Sequence, residues 1–103
     1  MTPGGSIRHD PSAERFIEFD WSAALVKRDG TTAAIATSTF SIIGPDSALT
    51  YDNASILSGA TSTTARVKGG TNGKTYTLTN RIVTNESPSQ TDERSVFIRI
   101  AEQ

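Results

Sequence analysis

Residues 69–84 read GGTNGKTYTLTNRIVT and residues 93–100 read ERSVFIRI, and these two stretches decide the fold class. Both place large residues at alternate positions, namely Tyr76, Leu78, Ile82, Val96, Ile98 and Ile100. Because successive side chains of a strand point to opposite faces, each stretch is predicted to be a β-strand with one buried face and one wet face. The glycines at 69, 70 and 73 are predicted to take positive φ angles in a tight turn, so the region is predicted to form a strand hairpin.

The strand pattern continues toward the N-terminus. Further strands are predicted at residues 15–21, 33–43, 49–51, 55–57 and 62–68. In the second of these, Ile35 is out of phase with the later apolar residues, which predicts a β-bulge near Ala36 and Thr37. No segment keeps the 3.6-residue apolar period of an amphipathic helix. About seven short strands separated by turns predict an all-β protein made of a single β-sandwich.

Residues 1–12 differ in composition from the rest of the chain, being rich in glycine, proline and serine with little apolar surface. They are predicted to form a flexible N-terminal arm, and residues 13–103 are predicted to form the sandwich domain. Two interpretations of the arm stay open: a disordered end, or a segment that becomes ordered against a neighbouring subunit. In the second interpretation Arg8 and His9 contribute to the contact with that partner.

The residue inventory argues against catalysis and metal binding. The chain has no cysteine and a single histidine, His9, so disulfides, thiolate zinc sites and clusters of histidine ligands are excluded. Asp46, Asp52 and Asn53 carry oxygen atoms of the kind that bind calcium, but they lack EF-hand spacing. We therefore predict a protein that is not an enzyme, with no catalytic residues, no metal site and no cofactor.

Charge and hydropathy argue against nucleic-acid and membrane partners. The formal net charge of −1 gives no overall attraction for polyanions. No apolar run approaches the roughly 20 residues that a membrane-spanning helix needs. The charged residues between Asp52 and Glu86 are all basic, namely Arg66, Lys68, Lys74 and Arg81. This cluster is either a solvated face or a local polyanion site, and we predict no nucleic-acid partner and no membrane partner.

Two aromatic residues are predicted to have structural roles. Trp21, the only tryptophan, is expected to fill the core between two sheets. The segment GKTYTL at residues 73–78 resembles the corner of immunoglobulin-like domains, in which a tyrosine near the start of the sixth strand bonds back to the preceding loop. Tyr76 is the candidate for that corner, and the alternative is an ordinary half-buried strand aromatic.

A wider resemblance appears when separate segments are read in order. These are FDWS at 19–22, IATSTF at 35–40, GGTNGKTY at 69–76, TNRI at 79–82 and DERS at 92–95. Their succession resembles a family of small tailed-phage virion proteins, described as fibre-tail adaptor or head-tail region proteins with an immunoglobulin-like fold. The resemblance covers roughly residues 15–101, although Phe40 stands where the family has a tryptophan and residues 43–62 match no motif.

The resemblance implies a non-enzymatic structural component of a phage particle. Such a protein would be assembled in the host bacterial cytoplasm, reside in the virion, dock on other virion proteins and form a homo-oligomer within the particle. The alternative is a free immunoglobulin-like binding module that recognises a carbohydrate or a host surface protein.

The last predicted strand offers a candidate docking surface. If Val96, Ile98 and Ile100 point into the core, Phe97 and Arg99 must face outward. An exposed phenylalanine beside an arginine is typical of a protein interface. Two alternatives stay open: the N-terminal arm covers Phe97, or the residue is a singly exposed aromatic without a role.

Overall fold

The computed structural model describes residues 3–26 and 32–101, with side chains from residue 7 onward. Within this part of the chain the structure is all-β, as predicted, and contains no helix. The strands are β1 (Pro3–His9), β2 (Glu14–Asp20), β3 (Ile35–Ile43), β4 (Leu49–Ile56), β5 (Ser62–Gly69), β6 (Thr75–Thr84) and β7 (Thr91–Ile100). They form a sandwich of two sheets, one with four strands in the order β1-β7-β6-β3 and one with three in the order β2-β5-β4.

The predicted hairpin of β6 and β7 is confirmed, because the two strands pair antiparallel from Thr75 opposite Arg99 to Val83 opposite Thr91. Gly69, Gly70 and Gly73 all have positive φ angles, also as predicted. Their turn does not close a hairpin, however. It carries the chain from β5 in the three-stranded sheet to β6 in the four-stranded sheet.

The middle strands differ in part from the prediction. The bulge in β3 is confirmed by a register shift between Ile35 and Thr37. The two short strands predicted around Asp52 and Asn53 are a single strand, β4, with a register irregularity between Asp52 and Ser55. Asn53 takes the left-handed conformation with φ of 51°, so the polar pair forms a bulge in one strand and not a turn between two.

A buried hydrogen-bond network joins the two sheets. Trp21, which follows β2, is completely buried, and its Nε1–H donates to Oδ1 of Asn80 on β6 over 2.9 Å. The Thr63 hydroxyl on β5 donates to the same oxygen over 2.6 Å. The Asn80 amide nitrogen donates to the Ser38 hydroxyl (2.8 Å) and the Thr39 carbonyl (3.1 Å) on β3. This side chain therefore contacts both layers of the sandwich.

Tyr76 fixes the opposite end of the sandwich. Its buried ring packs against Gly44, where any Cβ atom would clash with the ring. Its hydroxyl accepts the backbone N–H of Thr71 over 3.0 Å, a bond back to the preceding loop, and donates to the Asp46 carboxylate. The hydroxyl bond holds the pKa of Asp46 below its usual value. These contacts tie the β3–β4 loop to the turn that links the sheets.

The N-terminal residues are placed differently from the sequence analysis. Pro3–His9, assigned there to a flexible arm, form β1, which pairs parallel with β7 at the edge of the four-stranded sheet. Ile7 lies opposite Ile98 and His9 opposite Ile100, so both take inward positions over the core. The partner strand, β7, lies at the far end of the chain, so the composition of residues 1–12 could not predict the pairing.

His9 is buried without satisfying its ring nitrogens. The residue has 0% exposure, and neither Nδ1 nor Nε2 has a hydrogen-bond partner among the described residues. Burial lowers the pKa of His9 below 6.5, and the Arg15 guanidinium adds to the effect, while Asp10 opposes it. The neutral imidazole is therefore the form that fits the folded protein.

We expect Tyr76→Phe to lower the free energy of unfolding by about 1 kcal/mol, because the ring stays buried while the hydroxyl loses its bond to the Thr71 N–H. Tyr51→Phe is the matched control, since its hydroxyl donates a single bond to the Phe40 carbonyl and the residue is 38% exposed. Urea titration of both variants measures the difference. Equal effects at the two tyrosines would contradict a special role for Tyr76.

Stability should also decrease in mild acid because of His9. The pKa of His9 in the folded state lies below the unfolded value of 6.5. The stability contributed by the neutral imidazole is therefore fully present above pH 6.5 and is lost as the pH falls through the folded-state pKa. His9→Leu removes the titrating group and both unsatisfied nitrogens, so we expect it to flatten this part of the profile. The midpoints of urea unfolding, measured for both proteins from pH 7.5 to 5, test this expectation. If the stability of both proteins falls in parallel with pH, His9 is not the group responsible for the loss.

Candidate docking surface on the four-stranded sheet

The outer face of the four-stranded sheet carries three of the four residues that were predicted to contact a partner, namely Arg8, Phe97 and Arg99. On β7, Ile98 and Ile100 are completely buried and Val96 is half-buried, so the alternate positions face outward. Phe97 is 40% exposed there, and Arg99 is exposed as well. β1 does not cover this phenylalanine, because it lies beside β7 in the same sheet.

The cross-strand neighbours of Phe97 and Arg99 continue this surface onto β1 on one side and onto β6 and β3 on the other. Arg8 on β1 pairs with Arg99 in the strand register, so two exposed arginines occupy neighbouring positions at one edge. Phe97 pairs with Thr77 on β6, and Thr77 pairs with Ile43 on β3, which is 70% exposed. Phe97 and Ile43 therefore lie in one cross-strand row, separated by Thr77, next to the arginines.

We call this surface the arginine face and define it by Arg8, Ile43, Arg81, Phe97 and Arg99. Arg81 lies on β6 opposite Thr39 on one side and Glu93 on the other. Within residues 3–26 and 32–101, none of the three arginines forms a salt bridge. The face thus combines exposed apolar side chains with guanidinium groups that are free to pair with a partner.

His9 does not belong to this surface. His9 was predicted to contact a partner together with Arg8, but its side chain lies on the inner side of β1 and is completely buried. Neighbouring residues of a strand point to opposite faces, so Arg8 faces outward while His9 cannot. The surface also includes Ile43, which was not singled out from the sequence, and Arg81, which was considered only as part of the basic cluster between Asp52 and Glu86. The alternation of Phe40 and Ile42 on β3 could have placed Ile43 outward.

The basic cluster predicted between Asp52 and Glu86 is divided between two faces. Arg66 and Lys68 lie on β5 in the other sheet, where Arg66 contacts Asp52 over 2.8 Å and Glu14 over 3.2 Å. Lys68 reaches Asp52 over 3.1 Å. Hydrogen bonds from Arg66, and to a smaller extent from Lys68, hold the pKa of the Asp52 carboxyl well below its usual range. Arg81 is on the opposite side of the sandwich.

The carboxylates considered for calcium binding are separate and already engaged. Asp52 bonds to cations, and Asp46 bonds to Tyr76 and to the Thr71 hydroxyl. No group of three possible metal ligands occurs in the part of the chain that the structure describes. That part also contains no helix long and apolar enough to cross a membrane.

An open groove of about 620 Å³ adjoins the arginine face at Ile43. It lies between β3 and β4, the edge strands of the two sheets. Its lining includes Ile42, Leu49 and Tyr51, with Asp46 among the polar residues. The groove therefore extends the apolar surface around the edge of the sandwich.

Comparison with known proteins identifies the family. The family model described as Podophage GP4 fiber-tail adaptor protein gp77 matches residues 9–99. The match includes β2 to β6 completely and β7 except for its last residue. Neither curated proteins nor solved structures gave a match to the chain. Because the family model covers nearly the whole sandwich, the chain belongs to the podophage GP4 fiber-tail adaptor protein gp77 family.

Proposed function

We propose that this protein is a non-enzymatic adaptor that docks on neighbouring virion proteins through its arginine face. Membership of the fiber-tail adaptor family gives it a structural role in a phage and makes it a virion component. The observation that carries the docking surface is Phe97, a large aromatic residue left 40% exposed beside Arg99.

The chemistry of this face suits protein contact. Aromatic residues and arginine are enriched in interfaces, and they supply much of the binding energy when a partner covers them. Phe97 offers an apolar anchor, while Arg8 and Arg99 offer planar donors that match carboxylates. A partner with an apolar side chain next to acidic groups would fit this surface.

Further parts of the proposal follow from the family and from the residue inventory. The sandwich is proposed to be immunoglobulin-like. In support, β3, β6 and β7 share one sheet and β2, β5 and β4 the other, and Tyr76 bonds back to the loop before its strand. We propose assembly in the host bacterial cytoplasm and a homo-oligomer in the particle, with no nucleic-acid or membrane partner and no cofactor.

The double variant Phe97→Ser with Arg99→Glu tests the docking surface. Both residues are exposed, so we expect the melting curve to stay nearly unchanged while incorporation into phage particles is lost. Quantitative mass spectrometry of particles from a complemented deletion phage gives the copy number. Val26→Ser is the control, because Val26 is 55% exposed and lies outside the arginine face. Wild-type copy number for the double variant would exclude this face as the docking surface.

A further inference from the structure

The three-stranded sheet has an exposed aromatic residue of its own. Phe16 on β2 is 58% exposed, although Ile17 and Phe19 of the same strand are buried. Glu14, Glu18 and Asp20 occupy the same outward side of β2 and are all exposed. We call this surface the carboxylate face and define it by Glu14, Phe16, Glu18 and Asp20.

Two of these carboxylates are free to pair with a partner. Glu14 contacts Arg66 over 3.2 Å, but Glu18 and Asp20 form no salt bridge within the described residues. Arg94 donates to the backbone carbonyl of Asp20 and not to its carboxylate. The backbone N–H of Ser22 donates to the Asp20 carboxylate over 2.9 Å and lowers its pKa, so the group is ionised at neutral pH.

The carboxylate face complements the arginine face in net charge and in spacing. Arg66 and Lys68 lie beside Phe16 and Glu14 on the same outer face, but they are paired with Asp52 and Glu14, which leaves Glu18 and Asp20 in excess. Each has a central exposed phenylalanine on a strand with a charged residue two positions along, Arg99 after Phe97 and Glu18 after Phe16. Strand residues advance by about 3.3 Å each, so the aromatic and the charge are about 7 Å apart on both faces. A pairing that stacks the two phenylalanines with their strands parallel therefore brings Arg99 of one copy next to Glu18 of the other.

We propose that the neighbour on the arginine face is a second copy of this chain, which docks through its carboxylate face. This inference rests on the proposed function of the arginine face. The two faces belong to different sheets and lie on opposite sides of the sandwich, so one copy can use both at once. Unlike surfaces that meet head to tail generate a closed ring or an open row of copies.

The available surface is large enough for such a contact. The molecule measures 46 × 25 × 20 Å along its principal axes, so each broad face spans up to 46 by 25 Å. A stable interface of standard size buries about 800 Å² on each partner. One sheet face is therefore large enough to supply this area, although most of the face would take part in the contact.

Mixing two complementary variants tests the head-to-tail contact. Phe97→Ser with Arg99→Glu disables the arginine face, and Phe16→Ser with Glu18→Ser disables the carboxylate face without giving it a charge that the first variant could bind. We expect wild-type protein to form oligomers larger than a dimer and each variant alone to be monomeric. An equimolar mixture should form a one-to-one dimer and nothing larger, because only one intact pair of faces remains. Sedimentation velocity over a concentration series measures all four samples.

Controls separate the contact from misfolding. Melting curves establish that each variant is folded, and Val26→Ser should oligomerise like the wild type. If a double variant does not fold, the single change Phe97→Ser or Phe16→Ser replaces it, with the same expected pattern. Wild-type oligomers should also weaken with added salt, because exposed charges contribute to the contact.

Three results would overturn the proposal: monomeric wild-type protein at all concentrations, an oligomeric single variant, or a mixture that stays monomeric. Each can be distinguished from failure of the proposed function. If the arginine face docks on a different virion protein, the Phe97 and Arg99 double variant is lost from particles although the wild type is a monomer. If the face has no docking role, that variant enters particles normally.

Discussion

The side-chain amide of Asn80 holds the two sheets together, and the rest of the sandwich depends on it. An asparagine amide can donate two hydrogen bonds and accept two. Here all four are made: Trp21 and Thr63 of one layer donate to its oxygen, and its nitrogen donates to Ser38 and Thr39 of the other. A buried polar group without partners would be costly, whereas a fully satisfied one favours a single arrangement. In a chain without cysteine, this network supplies a specific link between the layers.

Because the inner side chains fix the sandwich, the outer positions are free to serve partners. Trp21 is covered by Arg94, whose guanidinium lies over the ring at 4.5 Å from its centroid. At the other end Tyr76 joins two loops through Thr71 and Asp46. Phe16 and Phe97 take part in neither the contacts around Trp21 nor those around Tyr76. An adaptor needs a rigid body that presents separate surfaces, and this division between inner and outer residues provides one.

The sequence predicted those elements whose pattern is local. Alternation predicted the burial of Leu78 on β6 and Ile98 on β7, and the phase change on β3 predicted its bulge. The first strand escaped prediction because parallel pairing with β7 joins residues far apart in the chain. β4 was divided wrongly because Asn53 has the chemistry of a turn but lies in a bulge. Asn80 occupies an inward position of β6, and only that position could have signalled a buried link.

The net charge of −1 is a poor guide to this protein because it sums two unlike surfaces. The arginine face has three guanidinium groups without salt bridges in the described chain, and the carboxylate face has Glu18 and Asp20 in the same condition. Arg66 and Lys68 lie on the same outer face as Glu18 and Asp20, beside Phe16 and Glu14, and are paired with Asp52 and Glu14. Composition therefore reports a nearly neutral chain, although the fold separates the excess charge of each sign. The three arginines outnumber Glu93 on one outer face, and Glu18 and Asp20 remain without salt bridges on the other within the described residues. Such a separation is what contact between unlike faces requires.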